Sequence, residues 1–121
     1  MHALLVFLGG GTGALLRFLV GLGFLRLGAT FPVGTFAINV TGSLGLGLLY
    51  GALTHHHPTH PWTLFLGTGV LGGFTTFSTF ELEAWSLIQR GEARLAVLYL
   101  ASSVILGLAA TFLGIWLGKR F

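Results

Sequence analysis

The stretch from Gly72 to Glu83 reads GGFTTFSTFELE and lies inside an apolar run long enough to cross a membrane. Hydroxyls and aromatic rings stand there where a lipid-facing helix would carry Leu, Ile and Val. Phe77 and Phe80, at i,i+3, share a helix face, with Thr76 and Glu83 close to it. Benzene edges carry partial positive charge, so such rings can touch a small anion without the full cation that would trap it. A packing ridge is the plainer use of two phenylalanines; the flanking hydroxyls and glycines favour a narrow polar path.

Other residues could supply donors to the same path. Asn39 offers an amide with two N–H bonds and is followed by Thr41 and Ser43, although an Asn inside a span also serves as interhelical glue. Tyr99 and Ser103, at i,i+4, lie on one side of a later run with Ser102 beside them. Their hydroxyls can solvate an anion or bond back to the preceding turn. Arg17 sits about eight residues, or ~12 Å, from the end of the first run, with no carboxylate in the first two runs to neutralise it. It can draw anions, or it can snorkel or cap backbone carbonyls.

Two further patterns invite chemistry and point elsewhere. GGGTGA at Gly9 to Ala14 fits a dinucleotide fingerprint, but that needs a βαβ unit and an acidic residue about 20 positions on, and the first carboxylate is Glu81. Close helix packing explains these glycines better. His55, His56, His57 and His60 could ligate a metal, yet they stand beside prolines without carboxylates and read as a polar interfacial loop.

The elements that must position these residues follow from composition. Of 121 residues 54% are hydrophobic and 7% charged, far from the charged content of about 25% in a soluble domain. The chain reads as an all-α membrane protein forming one transmembrane domain over residues 1–121. Six basic residues spread over the whole chain form no nucleic-acid patch. The absence of cysteine excludes disulfides and thiolate chemistry, and MHALLVFLGG lacks the basic start of a cleavable leader.

Four runs meet the length of about 20 mostly apolar residues that a span needs: approximately Ala3 to Leu25, Val33 to Leu53, Trp62 to Gln89 and Leu95 to Leu117. Arg26 to Pro32, HHHPTHP and RGEAR separate them. The third run, about 28 residues or ~42 Å, exceeds a hydrocarbon core of about 30 Å, so it must bend, tilt or break. Gly69, Gly72, Gly73 and the pair Thr75–Thr76 mark its middle as the place where the helix opens. Backbone unwound at that depth needs an enclosing interior.

Basic residues are nearly balanced across the two sides, with Lys119 and Arg120 against Arg26, Arg90 and Arg94. That balance permits insertion in both orientations, and four short helices need a second copy to enclose a path. Gly9–Gly13, Gly47–Gly51, Gly69–Gly73 and Gly114–Gly118 have GxxxG spacing, which brings helix backbones close without saying which pair lies between subunits.

From about Gly10 to Gly118 the chain resembles the Fluc/CrcB family of small fluoride channels. GGTGALLR at Gly10 to Arg17, GTFAINVTGS at Gly34 to Ser43 and, most specifically, the TTFSTF string carry the likeness. The resemblance implies an antiparallel, dual-topology homodimer in a prokaryotic plasma membrane, with two fluoride pathways built from both subunits. It implies that Phe77 and Phe80 line those pathways, that Asn39, Tyr99 and Ser103 form a polar track, and that Arg17 lies near an entrance. Thr76 flanks the rings, and Glu83 matches a signature acid. It further implies a structural sodium ion held by the backbone carbonyls of Gly72 and Thr75 from both chains. Leu71 departs from the small residue common before the paired glycines, and Gly107 stands where some relatives carry a hydroxyl.

Two rival readings remain beside a passive fluoride channel. A proton-coupled exporter of small cations needs an acid deep in a helix, and the first, second and fourth runs have none. A non-conducting assembly subunit needs only helix packing. No covalent chemistry, and hence no enzyme, is expected.

Overall fold

Leu, Val, Phe and Gly dominate the long runs, and with no water to satisfy backbone groups inside a bilayer these residues wind into helices. The computed structural model describes residues 1–53 and 58–121. Helix α1 covers His2–Leu25, α2 Val33–Ala52, α4 Phe77–Gln89 and α5 Ala93–Gly118. Between α2 and α4 lies α3, a π-wound segment Thr63–Leu71 continued by one α-helical turn, Gly72–Phe74. Among the described residues there is no strand. Helix α5 begins two residues before the expected Leu95, so Ala93 and Arg94 join its first turn.

Three helices are long and apolar enough to cross a membrane: α1, α2 and α5, with mean hydropathies of 1.9, 1.3 and 2.1. Their outer faces carry exposed Leu15, Leu19, Ile105, Leu108 and Phe112, an apolar coat suited to lipid. The protein is therefore a multi-pass membrane protein.

The turns follow local chemistry. Gly91 takes φ 80° and Gly28 φ 59°, left-handed conformations that glycine adopts at little cost. At the end of α4, Gly91 N–H donates to Ile88 at 3.0 Å and Glu92 N–H to Leu87 at 2.9 Å, the paired bonds of a Schellman turn.

Glycine decides how the helices pair. A Cβ on Gly69 would lie 2.8 Å from the Cα of Gly9, and one on Gly13 would meet the Val70 carbonyl and lie 2.8 Å from the Phe74 nitrogen. A Cβ on Gly51 would lie 3.0 Å from the Cα of Gly118, while Gly47 backs onto Thr111 and Gly114 onto Leu44. All four GxxxG pairs are thus consumed within one chain, α1 against α3 and α2 against α5. In each pair the numbers rise together, from Gly9 opposite Gly69 to Gly13 opposite Phe74, and from Gly47 opposite Thr111 to Gly51 opposite Ile115. Each pair therefore runs parallel, which requires the α3–α4 segment to carry the chain back between the end of α2 and the start of α5.

The buried core is small and aromatic: Phe80, Ala84, Leu87, Ala96 and Tyr99, flanked by Phe31 and Phe36. It fastens α4 to α5 and fixes the rotation of the rings described next.

Candidate functional site

The helical winding stops at two threonines. Thr75 (φ −74°, ψ 158°) and Thr76 (φ −150°, ψ 120°) are extended between α3 and α4, which frees backbone groups that a continuous helix would pair internally. Side chains from α1 and α2 take them up. Thr76 N–H donates to Asn39 Oδ1 at 2.8 Å, and Asn39 Nδ2 donates back to the Thr76 carbonyl at 2.9 Å. Arg17 Nη1 donates to the Thr75 carbonyl at 2.9 Å. Of the roles open to Arg17, carbonyl capping is the one its geometry displays. The Thr76 hydroxyl caps α4 by accepting from Thr79 N–H at 3.3 Å.

Beside this junction runs a groove of about 280 Å³, walled by Asn39, Ser43, Thr76, Phe77, Phe80 and Ser103. Phe80 is 6% exposed and Phe77 71% exposed, so the first is fixed by the core while the second borders the open side. Their centroids are 5.8 Å apart at 45°. Phe80 is held in turn by Tyr99, edge to face at 5.1 Å, and Tyr99 by Phe31 at 5.3 Å. Ser103 contributes a buried hydroxyl oxygen with no hydrogen-bond partner among the described residues. A buried unpaired hydroxyl costs about 1–3 kcal/mol, a cost that a passing acceptor would relieve.

A second cavity, of about 610 Å³, opens between α1, α2 and α4 and is lined by Arg17, Thr35, Thr76, Thr79 and Glu83. Thr76 belongs to both cavities and joins them. Glu83 is pinned there: Thr35 Oγ1 donates to its Oε1 at 2.8 Å and the Tyr99 hydroxyl to its Oε2 at 2.7 Å. Asn39, Thr76, Phe77, Phe80 and Ser103 thus come together on one groove, and Arg17 and Glu83 on its neighbour. Tyr99 stands apart, fully buried, with its hydroxyl turned to Glu83. Thr75 borders the groove, whereas Gly72 is exposed outside both cavities.

Thr35 escaped the reading of residue types. Its signal was its position, four residues before Asn39 and hence on the same face of α2. The GGGTGA glycines lie within α1, where Gly9 and Gly13 meet α3 and serve packing, whereas a Cβ on Gly10 or Gly11 would meet nothing within 4 Å. Of the histidine cluster, His55, His56 and His57 lie outside the described residues.

A family model described as "CrcB-like protein, Camphor Resistance (CrcB)" matches residues 4–115. The fluoride-specific ion channel FluC of Methylobacterium nodulans is 51% identical over 111 residues, covering 90% of this chain and 89% of its own. The fluoride-specific ion channel FluC 2 of Nitrobacter hamburgensis is 49% identical over 122 residues, covering 99% of this chain and 98% of its own. That of Acidobacterium capsulatum is 48% identical over 122 residues, with the same coverage. With these matches over nearly the whole chain, the protein belongs to the CrcB family, a family of channels and not of enzymes.

Proposed function

We propose that the chain is a passive, fluoride-selective channel in a prokaryotic inner membrane, letting cytoplasmic fluoride leave down its electrochemical gradient and so relieving its toxicity. The observation that carries this reading is the partnerless buried hydroxyl of Ser103, opening onto a groove edged by Phe77 and Phe80. Fluoride is the smallest halide and the strongest hydrogen-bond acceptor among them, so hydroxyl protons and ring edges can replace its water. Chloride is larger and accepts more weakly. Because no donor on the groove is a full cation, binding stays weak enough for release.

Arg17, on the adjoining cavity, raises the local concentration of anions while holding Thr75. Asn39 spends one N–H on Thr76 and keeps the other for the groove. Glu83 keeps the hydroxyls of Thr35 and Tyr99 turned to itself. Tyr99 then acts through Phe80, whose ring it steadies.

The groove is open along the side that Phe77 borders, and one chain does not close it. A second, antiparallel copy would do so, giving a dual-topology homodimer with two pathways, each walled by both subunits. The near balance of basic residues on the two sides supports that arrangement. A structural sodium ion fits the same assembly. The Thr76 N–H that would bond the Gly72 carbonyl in a continuous helix goes to Asn39 instead, and Gly72 is exposed. The Thr75 carbonyl spends one lone pair on Arg17 and retains another. These are hard oxygen donors; two from one chain are few, and a second copy doubles them. When bound, the ion would supply positive charge at the junction of the two copies.

The test is fluoride efflux from liposomes holding the purified protein, with charge balanced by a potassium ionophore and no proton gradient. A channel loses fluoride rapidly, and Phe80→Ile slows it about tenfold or more, equivalent to ~1.4 kcal/mol on the barrier. A proton-coupled cation exporter or an assembly subunit retains fluoride.

A further inference from the structure

We propose that Ser43 forms an additional anion-binding station, one helical turn beyond Asn39, for the pathway described above; the inference rests on that reading. Its basis is the register of α2 against α5. Gly47 lies opposite Thr111 and Gly51 opposite Ile115. Stepping back along both parallel helices brings Ser43 level with Gly107 and Asn39 level with Ser103. The first of these is visible directly: a Cβ on Gly107 would meet the Ser43 hydroxyl oxygen at 3.7 Å.

The Ser43 hydroxyl is available for this task. Several helical hydroxyls in the chain spend their proton on the preceding turn, including Thr41 on Ala37, Ser102 on Tyr99 and Thr111 on Gly107. Among the described residues the Ser43 hydroxyl forms no hydrogen bond, and Ser43 lines the groove with Ser103. Glycine at 107 leaves it uncovered from the α5 side. The two levels are separated by ~6 Å along the helices, a distance over which an anion can pass from the Asn39–Ser103 level to Ser43. At the next level Gly47 packs on the Thr111 backbone and closes the seam. Ser43 is therefore the last donor that this seam presents to the groove.

The expected effects separate a hydroxyl from a shape. In the liposome efflux assay Ser43→Thr retains flux, whereas Ser43→Val, of the same shape without the proton, lowers it about tenfold or more, as loss of a hydrogen bond to a charged group implies. Adding Gly107→Ser to Ser43→Val supplies a hydroxyl at the same level from the opposite helix and restores flux toward that of the unsubstituted protein. Equal flux in the Thr and Val variants, or equal loss in both, overturns the station. So does a Val variant that Gly107→Ser fails to rescue. Phe80→Ile is run alongside: if it slows efflux while Ser43→Val does not, the station fails and the channel stands. If the unsubstituted protein retains fluoride, both fail.

Discussion

Asn39 and Ser103 stand at one level of the groove and do different work there. Asn39 holds both backbone groups of Thr76, so its replacement by Ala leaves a donor and an acceptor unpaired inside the membrane. We expect a loss of about 2–4 kcal/mol, as two such bonds imply, read as an earlier thermal transition in detergent together with lost fluoride flux. The Ser103 hydroxyl has no hydrogen-bond partner among the described residues. Ser103→Ala should therefore lower flux while leaving the thermal transition unchanged or slightly raised. The side-chain chemistry of Asn39, Phe77, Phe80 and Ser103 marked them in the sequence, because amides, rings and hydroxyls are out of place against lipid. The partner of Tyr99 was hidden. Tyr99 and Ser103 share a helix side by spacing, yet the Tyr99 hydroxyl reaches Glu83 across the α4–α5 hairpin, an outcome set by how the two helices rotate against each other.

At the scale of elements, the helix positions were legible because hydropathy alone dictates where a chain can cross a bilayer. The winding of α3 was not, since residue types do not distinguish bonding five residues back from bonding four. Nor were the partners of the GxxxG pairs, which share one spacing and differ only in what faces them. The structure makes that difference testable. Gly13→Ala drives a methyl into the Val70 carbonyl and should cost about 1–3 kcal/mol by forcing α1 from α3. Gly11→Ala, on the same helix with nothing within 4 Å of its Cβ, should be neutral or gain up to about 1 kcal/mol from helix propensity. Paired thermal melts of the two variants in detergent check the contrast.

For the whole molecule, one chain supplies a packed wall and leaves its groove open. Every GxxxG pair is spent on internal seams, so the proposed second copy would have to dock on other surfaces, such as the border at Phe77 or the exposed Gly72. Counting photobleaching steps of singly labelled protein should give pairs, and dilution in lipid that separates the pairs should lower fluoride flux in proportion. Flux that persists in singly occupied vesicles would mean that one chain conducts alone.

The central claim, that uncharged donors and ring edges strip and pass fluoride, is tested most directly by electrical recording across a planar bilayer with unequal fluoride on the two sides and excess chloride throughout. The account predicts a current that reverses at the fluoride equilibrium potential, is unmoved by chloride, and is suppressed by Phe80→Ile. A current that follows the chloride gradient, or one that Phe80→Ile leaves intact, would contradict it.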